Sequence, residues 1–364
     1  MSIPAIDAIV ASAIDQRIFP GAVVLAAHDA TLLHHAAYGA TTYDASEGAP
    51  VTPTTIYDIA SLTKMFTATA ALRLYDKRLI DLDASVCAYL PAFRAHNVTI
   101  RHLLTHTSGL DLRLSTLCRN GRDALLAVVY NTLPAHPPGS SVAYTNINSL
   151  LLGEIVATVC NQPLDRAIDE LVCQPLGLHY TGFCPDPALL ACIAPTEFDH
   201  EWRGCLVHGA VHDESAYALG GVAGHAGLFS TASDLWMFCR AWLPPTDDRA
   251  AGAFLRPETM ALATTNHTPG LTQACGLGWM IDRPNFMGPA PPGSFGHTGF
   301  TGPALVIIPQ YRAIIVVLSN RVHPRRSAPR HHAITAAIIA AMLDSIARRR
   351  VETLRCNASC WGAD

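Results

Sequence analysis

Ser61 and Lys64 stand three residues apart in Asp58-Ile59-Ala60-Ser61-Leu62-Thr63-Lys64, just before a run, Met65 to Leu72, with apolar residues at helical spacing. Residues three apart share one face of a helix, so the Lys64 amine can reach the Ser61 hydroxyl. A serine needs an adjacent base to attack at neutral pH. Lysine can be that base where burial and neighbouring positive charge lower its pKa. Arginine cannot, because it keeps its proton. A helix N-terminus adds backbone N–H groups and a positive dipole end that favour a developing oxyanion. The spacing alone equally allows a capping serine and a solvated lysine. Two features favour chemistry. Ile59, Ala60, Leu62, Met65 and Phe66 give the pair apolar surroundings, and of 25 basic residues only two, Lys64 and Lys77, are lysines.

Two more segments offer polar groups. Ser141 to Asn146 follows the turn-rich Pro137-Pro138-Gly139 and precedes a helical run from Ser149, which places Tyr144 and Asn146 on a loop pinned at both ends. A phenol there could relay a proton, and an Asn amide could hold a substrate carbonyl; a buried tyrosine beside a structural Asn turn fits equally. Phe295 to Gly302, with three glycines, precedes the strand Ala304 to Ile308. Glycine lets backbone approach a ligand closely, an edge of this kind can pair with an extended substrate, and His297 adds a titratable ring. The alternative is a glycine-rich strand corner. Val211 to Glu214 and Gly220 to Gly227, with four glycines around His225, suggest backbone held near a cleft, or a tight loop feeding the helix after Ser230. His212, Asp213 and His225 lack the helical spacing of metal ligands, so no metal or cofactor is expected.

Other chemistries lack their motifs. There is no Gly-x-Ser-x-Gly; Pro292-Gly293-Ser294-Phe295-Gly296 misses its first glycine. His200-Glu201 has no second histidine at zincin spacing, and no Walker loop or dinucleotide fingerprint occurs. A net charge of −4 without a long basic run argues against nucleic acid. Met1-Ser2-Ile3-Pro4 opens without the features of a signal peptide, and no apolar stretch is long enough for a membrane span. The 11 cysteines include no Cys-x-x-Cys pair and suit reduced, mostly buried thiols in a cytoplasm.

The elements that must hold these groups follow from the apolar pattern. The 364 residues suggest two structural units. Half the chain is hydrophobic and 15% is charged, against roughly 25% in ordinary soluble domains, so a large core is available. A helix is expected over Ile3–Ile18, and strands over Gly21–Ala27, Thr31–Ala36, Leu277–Ile281, Ala304–Ile308 and Ala313–Leu318. Helical signals dominate from Ser61 to Cys173. A last helix runs from His332 to Ile346, and Arg348, Arg349 and Arg350 read as a cationic helix end. Strands at both ends and helices between imply an α/β fold. Its antiparallel sheet is flanked by helices and receives an inserted, mainly helical lobe. The expected partition is 1–58 and 222–346 for the α/β lobe, 59–221 for the helical lobe and 347–364 for a tail.

The order Ser-x-x-Lys, Tyr-x-Asn, His-Thr-Gly resembles the layout of the serine beta-lactamase and penicillin-binding-protein superfamily, in the branch of class C beta-lactamases, esterases and D-peptidases. The resemblance spans residues 5 to 345 and includes Leu103 to Leu110, Pro175 to Leu178 and Gly227 to Leu235, read as scaffold, with His106 structural. It implies an acylated Ser61, proton transfer by Lys64 and Tyr144, acyl-side-chain contacts from Asn146, and an oxyanion hole from the Ser61 and Phe300 N–H groups. Thr298, Gly299, Phe300 and His225 join the substrate-binding set. His297 stands where many members have lysine, which fits esterases and peptidases and implies a pH dependence near 6.5, the unperturbed histidine value. The implied function is a cytoplasmic serine hydrolase acting on a small ester, amide or peptide, muropeptide-like or D-amino-acid-like. A biosynthetic transacylase and a non-catalytic acyl-ligand receptor are the alternatives.

Overall fold

A computed structural model describes residues 2–44, 46, 48–244, 254–326 and 331–360, with backbone alone for 349–360. Its largest sheet has six antiparallel strands: β1 (Gly21–His28), β2 (Thr31–Gly39), β3 (Met280–Ile281), β4 (Phe295–Thr298), β5 (Ala304–Ile308) and β6 (Ala313–Ser319), in the order β2-β1-β6-β5-β4-β3. The central pairs run Val24 opposite Val317 and Val306 opposite Ile315. Both faces are covered, so β1, β5 and β6 read as continuous apolar runs rather than alternating ones. The strand period of two still sorts the side chains. Val24, Ala26, Val306, Ile308, Ile315 and Val317 face one core with helix α1 (Pro4–Asp15) and the final helix, while Val23, Leu25, Leu305, Ile307, Ile314 and Val316 face the larger core.

Helix α2 (Thr63–Asp76) is buried over most of its length, with Phe66 stacked on Phe238 at 4.2 Å between centroids. Helix α3 (Asn146–Cys160) packs beside it. A three-stranded sheet of Tyr57–Asp58, Leu228–Ser230 and Gly182–Phe183 straddles the expected lobe boundaries.

Several elements depart from expectation. The Leu277–Ile281 strand shrinks to β3, because Gly278 turns the chain at φ 84°. Asn146 is the first residue of α3, not part of the preceding loop. The final helix, α4, spans His331–Cys360, so Arg348 to Arg350 lie inside it and not at an end, and its backbone occupies most of the expected tail. The side chains of Arg349 and Arg350 lie outside the described residues, as do residues 361–364. Nine described cysteines are free thiols, of which Cys184, Cys192 and Cys205 are exposed rather than buried. No helix among the described residues is long and apolar enough to cross a membrane.

The glycine-rich segment after the short helix Glu214–Ala218 threads between α2 and α3. A Cβ at Gly224 would lie 2.1 Å from the Ser149 carbonyl oxygen and 2.9 Å from the Gly153 Cα, both backbone atoms that cannot swing aside. Gly224→Ala should therefore lower the unfolding free energy by about 1–3 kcal/mol. Urea denaturation of the variant checks this, and an unchanged midpoint would contradict the packing.

Candidate active site

The loop before α2 is held by one buried carboxyl. Asp58 Oδ1 accepts from the Ala60 N–H (2.8 Å), Oδ2 accepts from the His212 N–H (2.7 Å), and its carbonyl accepts from the Thr301 hydroxyl (2.8 Å). Burial pushes the Asp58 carboxyl pKa up. These bonds over-determine the loop, and Ala60 sits at φ 46°, in the left-handed region that a residue with a Cβ adopts only under constraint. Ser61 follows in a 3-10 turn, Ala60–Leu62, leading into α2.

Lys64 is 3% exposed. Its Nζ donates to Ser61 Oγ at 2.8 Å and to the His225 carbonyl oxygen at 3.0 Å. One turn on, the Thr67 hydroxyl donates to the Gly224 carbonyl at 2.9 Å, and Thr63 Oγ1 accepts from the Leu228 N–H. Helix α2 and the 224–228 segment are thus fixed to each other beside the lysine. The Tyr144 ring lies 5.0 Å from Nζ, in cation–π range. No carboxylate lies within ion-pair distance of Lys64 among the described residues.

Tyr144 is 41% exposed and is held by rings, His106 at 4.8 Å and His297 at 5.7 Å between centroids. His106 adopts φ 56°, its carbonyl accepts from the Ala143 N–H, and its Nδ1 pairs with the Asn148 amide. It therefore shapes the loop that carries Tyr144. Ser61, Tyr144 and Asn146 line a cleft of about 700 Å³ together with Ala226, Phe300 and His212. Charged residues of both signs, Asp111, Arg113, Asp213, Glu214 and Arg326, complete the wall. Neither the Ser61 nor the Phe300 backbone N–H donates to a protein acceptor among the described residues.

A family model described as Beta-lactamase matches residues 6–338. The chain belongs to the beta-lactamase family. A relative from Escherichia coli (strain K12), named "Putative D-alanyl-D-alanine carboxypeptidase", is 32% identical over 348 residues, covering 84% of this chain and 79% of its own. Among solved structures, a class C beta-lactamase mutant superimposes with a TM-score of 0.74 at 21% identity over 93% of this chain and 96% of that one. EstCE1, a hydrolase with promiscuous acyltransferase activity, gives 0.73 at 23% identity over 92% and 98%. Both structures share the fold, and the protein is a beta-lactamase-like serine hydrolase.

Within this beta-lactamase-family site, the residues singled out by sequence separate into two groups. Ser61, Lys64, Tyr144, Asn146 and Phe300 meet at the cleft. His297 lies behind Tyr144, 2% exposed, lining a narrow recess with His106, Cys275 and Arg283. Gly299 packs against the Ile59 carbonyl, where a Cβ would come within 2.8 Å. Thr298 is partly buried, and its carbonyl pairs with His297 Nδ1 at 2.8 Å. His225 presents only its carbonyl to Lys64; its ring is fully buried and bonded to Asp213. No group of three His, Cys, Asp or Glu side chains among the described residues could hold a metal ion, and His212 instead meets Glu197 at 2.8 Å. Glu197 in turn binds Arg326, which also reaches Glu214 and lines the cleft. His212 and Arg326 hold the Glu197 carboxyl down at about 2, against its burial. Glu197, Arg326, Asp58 and Asn148 carried no sequence motif; Asp58 had one local signal, an Asp two residues before a chain reversal.

The expected titration near 6.5 does not survive the structure. Burial, then the Lys64 charge, lowers His297 to about 3, and the same causes with His297 itself lower His106 to about 3. Both rings stay neutral above that value, so neither gives a kcat/KM inflection near pH 6.5. In the unfolded chain they take up protons below about 6.5. The unfolded state then binds more protons than the folded one, and stability falls as pH drops from about 6.5 towards 3. Thermal melts between pH 7.5 and 4 should show a falling Tm, shallower in His297→Asn; a Tm that rises on acidification would contradict this.

Proposed function

We propose that the protein hydrolyses small esters, amides or peptides through an acyl-enzyme on Ser61. The observation that carries this reading is the 2.8 Å contact between Lys64 Nζ and Ser61 Oγ at the floor of an open cleft. In its amine form Lys64 takes the hydroxyl proton as Oγ attacks the scissile carbonyl. The oxyanion forms opposite the Ser61 and Phe300 N–H groups, both free of protein acceptors among the described residues. Lys64 then passes the proton to the leaving group, and the tetrahedral intermediate collapses to the acyl-enzyme. The Tyr144 ring packs beside Lys64 and the residue lines the cleft, and its phenol serves the proton's return. Water adds to the acyl carbonyl, gives up a proton by the same route, and releases the acid and Ser61. The name of the Escherichia coli relative makes D-alanyl peptides the first substrates to try.

A second reading replaces water with an alcohol or amine. It is favoured by a second groove of about 560 Å³ that shares Ser115, Glu214 and Arg326 with the cleft and leaves room for an acceptor. The promiscuous acyltransferase activity ascribed to EstCE1 points the same way.

A fluorophosphonate probe should add one adduct to the wild-type chain, mapped to Ser61 by peptide mass, and none to Ser61→Ala. Lys64→Arg keeps the charge but not the base, and should lower the labelling rate by about 10²-fold or more. Equal labelling of all three would overturn the reading. With labelling established, added alcohol or amine acceptors decide between the two fates of the acyl group.

A further inference from the structure

One carboxylate beside the cleft has more partners than its place in a helix cap requires. Asp213 caps the helix Glu214–Ala218 through the Ala216 N–H, which donates to Oδ1 at 2.8 Å. The same oxygen accepts from the Ser215 hydroxyl at 2.6 Å and meets His225 Nε2 at 3.1 Å. Its other oxygen, Oδ2, accepts from Asn146 Nδ2 at 3.3 Å. These donors, with His225 foremost, hold the Asp213 carboxyl far below the ordinary carboxylate range, against its burial. An ionised carboxylate only accepts hydrogen bonds. Every neighbour must therefore donate, and two consequences follow. The Asn146 amide has one allowed flip, with Nδ2 towards Asp213. The second N–H and Oδ1 are then left in fixed positions on a residue that lines the cleft. His225 must carry its proton on Nε2, and the ring so held belongs to the residue whose carbonyl receives Lys64 Nζ.

We propose that Asp213 is a positioning residue and, through Asn146, a determinant of substrate class. It selects acyl donors that carry their own amide carbonyl near the scissile bond, which the fixed second N–H of Asn146 can meet. Through His225 it also steadies the acceptor of Lys64, a weaker effect that every substrate shares. This rests on the acyl-enzyme reading above and on the acyl-side-chain contact that the resemblance implies for Asn146, and goes beyond both by naming Asp213 as the group that fixes the Asn146 amide.

The test uses two activated esters with the same leaving group, an N-acetylglycyl ester and a butyryl ester that lacks the amide. Asp213→Asn can donate as well as accept, so it no longer dictates the Asn146 flip. Its kcat/KM should fall about 10²-fold on the acetylglycyl ester, as a misplaced binding group does, and about tenfold or less on the butyryl ester. In an Asn146→Ala background the same substitution should leave the ratio between the two esters unchanged, because the coupled partner is gone. Equal losses on both esters, or an undiminished change of ratio without Asn146, would overturn the proposal. Asn146→Asp is the companion variant should Asp213→Asn not fold. It sets a second carboxyl against Asp213, with His225 and Ser215 on the far side, so the two share a proton at low pH and repel at high pH. The one proton then lies between the two carboxyls and none is left to meet the substrate, so the ratio between the esters should fall to that of Asn146→Ala at every pH; a wild-type ratio would overturn the proposal. If Ser61→Ala hydrolyses both esters as fast as wild type, the acyl-enzyme reading fails and this inference with it. If Ser61→Ala is inactive and Asp213→Asn keeps the wild-type ratio, only the inference fails.

Discussion

Burying one lysine without an opposing carboxylate is the constraint around which the site is built. An ammonium taken out of water and left unpaired is expensive. Here the described partners of Nζ are a hydroxyl oxygen, a backbone carbonyl and the face of a phenol ring. All are neutral. They meet the N–H groups of Nζ without bringing an opposing charge. Such partners act only at short range, so the elements that carry them need tight registration. That need explains why α2 and the 224–228 segment are bonded to each other twice more, through Thr67 and Thr63. It also explains why Gly224 is pressed against α3 with no space for a side chain. The closeness of three backbones fixes the position of a single carbonyl oxygen.

Ser61, the proposed nucleophile, is presented by a second buried group of a different kind. Asp58 gathers the Ala60 turn, the His212 backbone and Thr301, which come from three distant stretches of chain. Its two oxygens are spent on backbone N–H groups, and that is what holds Ala60 in a left-handed conformation just before Ser61. The Thr301 bond sets the strand β4 corner, and with it Phe300, against the start of α2. Two potential oxyanion donors from distant parts of the sequence are thereby set by one residue, Asp58, through its carboxyl and its backbone carbonyl. Local strain at Ala60 persists because the surrounding bonds leave no relaxed alternative.

The sequence discloses what depends on local spacing. Ser61 and Lys64 touch because i and i+3 share a helix face, and β1, β5 and β6 are legible because strands buried on both sides read as apolar runs. What was hidden depends on contacts across the fold. Asp58 and His212 are 154 positions apart, and Lys64 and His225 are 161 apart. Asn146 looked like a loop residue because the apolar periodicity of α3 becomes clear only from Ser149, whereas the backbone turns helical three residues earlier. The full length of α4 is hidden for the opposite reason: its second half is polar, and polar helix has no apolar stripe to announce it. His297 was recognisable by motif, but its protonation was not, since burial is a property of the packed recess and not of the tripeptide.

That last difference changes the electrostatic character of the site. A lysine at 297 would place a second ammonium near Lys64, and each like charge would disfavour the other. A desolvated imidazole carries no such charge, and Lys64 in turn helps keep it neutral. His106, which lines the same recess and also packs on Tyr144, is neutral for the same reasons. The phenol therefore sits among neutral rings, with Lys64 beside it and part of its surface in water. The charges that a substrate meets first are instead at the cleft wall, where Arg113 and Arg326 stand with Asp111 and Glu214. Those groups are exposed or half-buried, and screening by water and salt weakens what they contribute. Discrimination by net charge is consequently weak at the wall and absent from the second basic position. In the proposed reading directional hydrogen bonding is left to distinguish substrates, since a desolvated donor without its partner costs more than a screened charge can supply.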